Sequence, residues 1–133
     1  MNIEIAIKKG CQKLKNNNIR SALLDSELLL SKVIKKDRKF ILLNLDKKLN
    51  QNDQDKFKDL ILKRSRGKPL AYLTGNKSFW KYHFKVNEKV LIPRPDTEII
   101  IEEVLKLYKN KVHLNFLEVG VGSGCIALSI LKE

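Results

Sequence analysis

From Ile3 to about Arg66 the apolar residues recur three and four positions apart, which predicts a run of amphipathic helices. The first carries Ile3, Ile7, Gly10, Cys11 and Leu14 on one stripe and ends at Asn16-Asn17-Asn18. Ser21 is placed to cap a second, with Leu24, Leu28, Val33 and Ile34 as its expected buried face. Asp37 caps a third running through Phe40, Ile41 and Leu45. Asn50 or Asn52 begins the next, which continues through Phe57, Leu60, Ile61 and Arg64 until Gly67, with Pro69 just beyond, stops it. The pattern predicts a small all-helical module of about four helices.

After Gly67 the period is lost. Lys68 to Gly75 is punctuated by glycine and proline and reads as a connector. Trp80, Tyr82, Phe84 and Val86 then alternate with Lys81, His83 and Lys85, as in a half-buried strand. Asn87-Glu88-Lys89 turns the chain into Val90-Leu91-Ile92, giving an expected β-hairpin whose aromatic residues form its core rather than a base-stacking platform. Pro93-Arg94-Pro95 ends the hairpin, and Asp96-Thr97-Glu98 opens a helix with acids where the helix dipole favours them. That helix runs over Ile99 to Tyr108 and is broken at Asn110-Lys111. Leu114 to Val119 is short, apolar and bounded by glycine, as a central parallel strand is, and Cys125 to Leu131 starts another helix.

Composition narrows the classes. A hydrophobic content of 43% supports a packed core and excludes a disordered tail, so the net charge of +12, from 27 Lys+Arg against 15 Asp+Glu, belongs to the surface of something folded. The basic residues are mostly lysine, and only Arg20, Arg38, Arg64, Arg66 and Arg94 are arginine. Arginine is the preferred fork for phosphates and base edges, which favours a solvated lysine surface over a nucleic-acid patch. Cys11 and Cys125 lie far apart without a histidine nearby, so no metal site is expected and the setting is a reducing one. His83 and His113 have no partners at ligand or triad spacing. Neither a signal peptide nor a membrane span is visible. The expectation is a soluble, cytoplasmic monomer.

The strongest chemical signal is a strand ending in Glu118, glycines at 120, 122 and 124, and then a helix. A βα unit of this kind makes a floor for a nucleotide-like ligand. Gly120 permits the tight turn, Gly122 bares the backbone to the ligand, and Gly124 lets the helix approach the strand. In the dinucleotide fingerprint a third glycine would fall at position 125, where this chain has cysteine. The Glu118 carboxylate would oppose a pyrophosphate but suits the ammonium and sulfonium groups of S-adenosylmethionine. A glycine-rich turn with no ligand, and a nicotinamide site, stay open on these residues alone.

Context decides among them. Gly67-Lys68-Pro69-Leu70-Ala71-Tyr72-Leu73-Thr74-Gly75, Phe79-Trp80, Phe84-Lys85-Val86, and Val90-Leu91-Ile92-Pro93-Arg94-Pro95-Asp96-Thr97-Glu98 precede the Glu118 glycine loop. In this order and spacing the chain closely resembles the HemK/PrmC family of release-factor glutamine methyltransferases. The Ile-Pro-Arg-Pro-Asp-Thr-Glu run is the specific part, while the glycine loop is shared by many methyltransferases. The resemblance covers residues 67 to 133 by motif and the helical module by size and pattern.

The resemblance implies methyl transfer from S-adenosylmethionine to the amide nitrogen of the glutamine in the Gly-Gly-Gln loop of class I peptide chain release factors. It implies a fold of a helical bundle (residues 1–75, substrate docking), a β-hairpin linker (76–92) and the first strand and helix of a Rossmann-like class I methyltransferase domain (93–133). The cofactor is expected on Glu118, Gly120, Val121, Gly122, Ser123 and Gly124, with Arg94, Asp96, Thr97 and Glu98 shaping the pocket. Arg94 has an equally plain structural use, tying the hairpin to the next helix through Glu98 or Glu102. Glu118 departs from the family's more usual aspartate: the charge is kept and the arm is longer.

An amide nitrogen is a poor nucleophile and must be held and aimed by hydrogen bonds. In the family that work belongs to an Asn-Pro-Pro-Tyr motif, which this chain lacks. An acid gripping the ribose hydroxyls is expected about 20 residues beyond the glycine loop, past Glu133. The chain is therefore expected to be the front part of such an enzyme and inactive alone. Two other readings are a non-catalytic binding module for a release factor or RNA, and a fragment of a nicotinamide enzyme, the latter disfavoured by Glu118 and Cys125.

Overall fold

Side-chain caps start three of the helices, but Ser21, expected to cap the second, stands before it without a side-chain cap hydrogen bond. The Asn2 side-chain oxygen accepts the Ile5 backbone N–H at 2.9 Å ahead of α1 (Ile3–Lys15). After α2 (Ala22–Ile34), Asp37 caps α3 (Arg38–Leu43) through the Phe40 N–H, and Asn50 caps α4 (Gln51–Ser65) through the Asp53 N–H. Gly67, at φ +92°, lies just beyond the end of α4. The segment expected as a connector folds further than its punctuation predicts, into a short α5 (Leu70–Thr74). The computed structural model describes residues 1–109 and 114–133, so the expected break at Asn110-Lys111 and the reading of His113 lie outside the described residues. The chain forms two compact units, Met1–Thr74 and Gly75–Glu133.

In the first unit the stripe of α1 is buried as its spacing predicts, together with Ala6. On α2 the buried face differs from the expected one. Leu24 is 43% exposed, and the buried positions are Ala22, Asp25, Ser26, Glu27, Leu29 and Leu30. The reason is that the acids are paired. Asp25 accepts from the Arg64 Nε at 2.7 Å, and Glu27 from the Arg38 Nε at 2.6 Å. Ser26 donates to the Ala22 carbonyl at 2.8 Å. Satisfied in this way, polar groups can lie inside while a leucine stays out. Ile41, Leu49, Phe57, Ile61 and Leu73 complete the core; Leu45, expected on the third helix, follows its end and is exposed.

In the second unit the hairpin forms with a different register from the one predicted. Its strands are β1 (Asn76–Phe79) and β2 (Tyr82–Lys85), paired antiparallel as Asn76 with Lys85 through Phe79 with Tyr82. Trp80 and Lys81 form the turn, and Trp80 takes a left-handed φ of +55°. The alternation runs through this turn unbroken because neither residue is a glycine, asparagine or aspartate. Asn87 does make a turn, accepting the Lys89 N–H on its side chain, but Val90-Leu91-Ile92 forms no strand.

A 3-10 turn at Pro95–Thr97 leads into α6 (Glu98–Tyr108), and α7 (Cys125–Lys132) closes the described chain. Phe79 and Phe84, edge to face at 6.1 Å, pack with Ile101 as the core of this unit. Leu114–Val119 pairs with no strand among the described residues, and Leu117 and Val119 are 87% and 90% exposed. A central parallel strand exists only through neighbours on both sides, and the described residues supply none.

Candidate functional site

The glycine loop lies within the second unit, and its backbone is left-handed at each glycine: φ is +80° at Gly120, +56° at Gly122 and +76° at Gly124. The two outer glycines differ in what a side chain would meet. A Cβ at Gly120 would meet open space, whereas one at Gly124 would lie 3.2 Å from a Leu128 methyl. Gly124 thus makes room for Leu128 of its own helix, whereas the expected approach of helix to strand has no strand among the described residues. At Gly122 the nearest atom to a Cβ is the Gly120 carbonyl oxygen at 3.8 Å, so bare backbone faces free space. The Gly124 N–H donates to the Val121 carbonyl at 2.8 Å and closes the turn.

A glycine at the N-cap of α7 gives that helix no side-chain cap. Glu118 supplies one from outside: its Oε2 accepts the Ala127 N–H at 3.0 Å, in the first turn. Among the described hydrogen bonds its other oxygen is not engaged. One carboxylate thereby ties Glu118 to the first turn of α7 across the glycine loop. Val121 is exposed and Ser123 half-buried.

The linker residues divide. Arg94 and Asp96 are exposed, and Thr97 is half-buried with its N–H donating to the Arg94 carbonyl at 3.1 Å. Glu98 is committed elsewhere: its Oε1 accepts the backbone N–H of Trp80 at 2.8 Å. It holds the strained hairpin turn, so the expected tie between hairpin and α6 is made by Glu98 to backbone and not by the Arg94 guanidinium. Among the described residues no hydrogen bond or ion pair joins these four to the glycine loop.

Sequence reasoning missed a polar cluster at the hairpin turn. The Glu133 carboxylate accepts from the Trp80 indole at 2.9 Å, the Lys81 ammonium at 2.6 Å and the Tyr82 hydroxyl at 3.3 Å. Lys81 first, and Trp80 next, hold the Glu133 carboxyl below its usual range. A lowered folded value means a contribution present above the ordinary glutamate range and lost as pH falls through the lowered value of the folded state. Fluorescence of Trp80, the only tryptophan, is expected to report a transition below that range and to lose it in Glu133→Gln. A transition at the ordinary glutamate value would contradict the contact.

Among the described residues no cluster of His, Cys, Asp and Glu is arranged to hold a metal ion, and no helix is long and apolar enough to cross a membrane. The profile of the PrmC N-terminal domain matches residues 6–75, more than half of the chain. The release factor glutamine methyltransferase of Leptospira interrogans is 41% identical over 125 residues, covering 93% of this chain and 44% of that protein. The proteins of the same name from Clostridium botulinum and Buchnera aphidicola are 42% and 41% identical, covering 92% and 98% of this chain but 43% and 46% of their own lengths. The chain spans about half the length of the curated relatives it matches. With its helical unit matched by profile and both units aligned to these relatives, the chain belongs to the HemK/PrmC family of release factor glutamine methyltransferases.

Proposed function

We propose that this chain is the docking and cofactor-floor part of an S-adenosylmethionine-dependent enzyme that methylates the glutamine of the Gly-Gly-Gln loop in class I release factors. Residues 1–75 dock the protein substrate, 76–92 link, and 93–133 begin a Rossmann-like methyltransferase domain. The observation that carries the reading is Glu118, whose carboxylate caps α7 across a loop in which Gly120 and Gly122 leave the backbone uncovered. These residues fit the cofactor's chemistry. The carboxylate takes the methionine ammonium, and the bare backbone at Gly122 admits the adenosine end to van der Waals contact.

When bound, S-adenosylmethionine supplies a methyl group made electrophilic by the sulfonium charge. The chain's own part is to bind and orient it. Gly120, Val121, Gly122, Ser123 and Gly124 form the floor, and Glu118 fixes both the loop and one end of the ligand. Arg94, Asp96 and Thr97 shape the adjoining pocket, with Glu98 acting through the hairpin turn it holds. The two free cysteines fit a reducing cytoplasm, and the reading takes the protein as a monomer there.

The test is a chimera in which residues 1–133 replace the matching segment of the Leptospira relative, titrated calorimetrically with S-adenosylmethionine. The chimera is expected to bind, and Glu118→Gln to weaken binding on the order of tenfold, since an ion pair to a partly desolvated ammonium contributes about 1.5–3 kcal/mol. No binding by a folded chimera would refute the cofactor assignment. The 133-residue chain alone is expected to bind weakly, because Leu117 and Val119 beside the loop lie open to solvent. A micromolar dissociation constant for it would contradict that.

A further inference from the structure

Charge is unevenly divided between the units. Residues 1–74 hold 18 Lys and Arg against 8 Asp and Glu, a net of +10, while residues 75–133 hold 9 against 7. Two of the basic groups, Arg38 and Arg64, are already matched to Glu27 and Asp25. Three of the other basic residues border one cleft. Between α1 and α4 lies a recess of about 350 Å³, floored by Gly10, Phe57 and Ile61 and rimmed by Lys9, Lys13 and Lys58. No acidic side chain lines it.

Gly10 lets the two helices close together beside this recess. In the middle of a helix a glycine is less stable than alanine, so its use there needs a packing reason. A Cβ at this position would come within 2.9 Å of the Phe57 ring and 3.0 Å of the Ile61 methyl. The absent side chain lets α4 close on α1 and leaves an apolar floor beneath the lysines. Those lysines are in local conflict. Lys9 and Lys13 stand one helical turn apart on α1, a like-charge spacing that weakens a helix. Among the described residues neither makes an ion pair, although Lys8 next to them pairs with Glu4. Lys58 has only Asp55 at 3.4 Å.

We infer that the α1–α4 cleft docks an acidic segment of a partner protein, one apolar side chain entering the recess against Leu62, which is 38% exposed, and flanking carboxylates reaching Lys9, Lys13 and Lys58. The inference rests on the docking role proposed above for residues 1–75 and gives that role an address and a chemistry. An apolar floor rewards a desolvated hydrocarbon side chain, which a phosphodiester backbone lacks. Phe57 is 2% exposed and offers no face for a base to stack on. The rim is lysine throughout, without the arginine fork that reads phosphate or base edges. These three features favour an acidic peptide over RNA.

The experiment is a titration of the isotope-labelled 133-residue chain, followed by amide chemical shifts. The probe is a synthetic peptide carrying a leucine with glutamates a helical turn to either side. A scrambled peptide of equal composition and a single-stranded RNA oligomer serve as the other arms. Saturable shifts are expected at Lys9, Gly10, Lys13, Phe57, Lys58 and Ile61, weaker in raised salt, with the scrambled peptide binding at least tenfold less tightly. Lys9→Glu with Lys13→Glu is expected to weaken the designed peptide tenfold or more while the spectrum stays dispersed. Leu62→Asp, on the exposed border of the cleft, provides the same readout if the double variant fails to fold. Shifts mapping elsewhere, equal response to the scrambled peptide, preference for RNA, or unchanged binding by a folded variant would each overturn the inference. If the chimera methylates a release factor while the cleft stays silent, this proposal falls and the methyltransferase reading stands.

Discussion

Arg64→Ala is expected to destabilise the helical unit by about 3 kcal/mol, seen as a lower urea midpoint in circular dichroism. The carboxylate of Asp25 is 3% accessible and depends on Arg64 for its counter-charge, so removing the guanidinium leaves a buried, unpaired charge. Such losses run to about 3–5 kcal/mol; the lower end applies because the Arg64 side chain is 19% accessible and water can partly replace it. Against a total of about 5–15 kcal/mol for a whole domain, this is a large fraction. Adding Asp25→Asn to Arg64→Ala is expected to recover part of the loss, since the stranded charge is gone. A loss under about 0.5 kcal/mol, the size of an exposed pair, would mean that Asp25 is not held as described.

The second large effect is functional. In the chimera, Gly122→Val is expected to lower S-adenosylmethionine affinity on the order of a hundredfold. Two causes add. A branched side chain at φ +56° is strained by about 1–3 kcal/mol, and its methyls enter the space that Gly122 leaves beside bare backbone. Gly67→Ala is the comparison: it places a side chain at φ +92° in the other unit, where a Cβ meets nothing within 4 Å. It is expected to cost stability and leave cofactor affinity unchanged. Equal effects of the two on affinity would mean that Gly122 acts only through folding.

Helix positions and caps were legible because they are local: a side-chain oxygen at Asn50 or Asp37 answers N–H groups within the next turn. The inward face of α2 was not, because Asp25 and Glu27 are carried inside by arginines 39 and 11 residues away, partners that no local pattern reveals. The hairpin turn was hidden for a related reason. Trp80 adopts a left-handed conformation against its own preference, held by Glu98 from 18 residues on. At the glycine loop the spacing marked Gly120, Gly122 and Gly124 as turn positions, and all three are left-handed, but the close neighbour of Gly124 is Leu128 of its own helix and not a strand. What spacing could not express is that Glu118 caps α7, since that depends on the fold of the turn between them. The strand expected at Leu114–Val119 needs partners that the described residues do not include.

The measurement that bears most directly on the whole account is mass spectrometry of a class I release factor incubated with the folded chimera and S-adenosylmethionine. The account predicts one added methyl group on the glutamine of the Gly-Gly-Gln loop, lost with Gly122→Val and reduced with Glu118→Gln. A folded chimera that binds S-adenosylmethionine yet leaves that glutamine unmodified, or methylates a different residue, would contradict it.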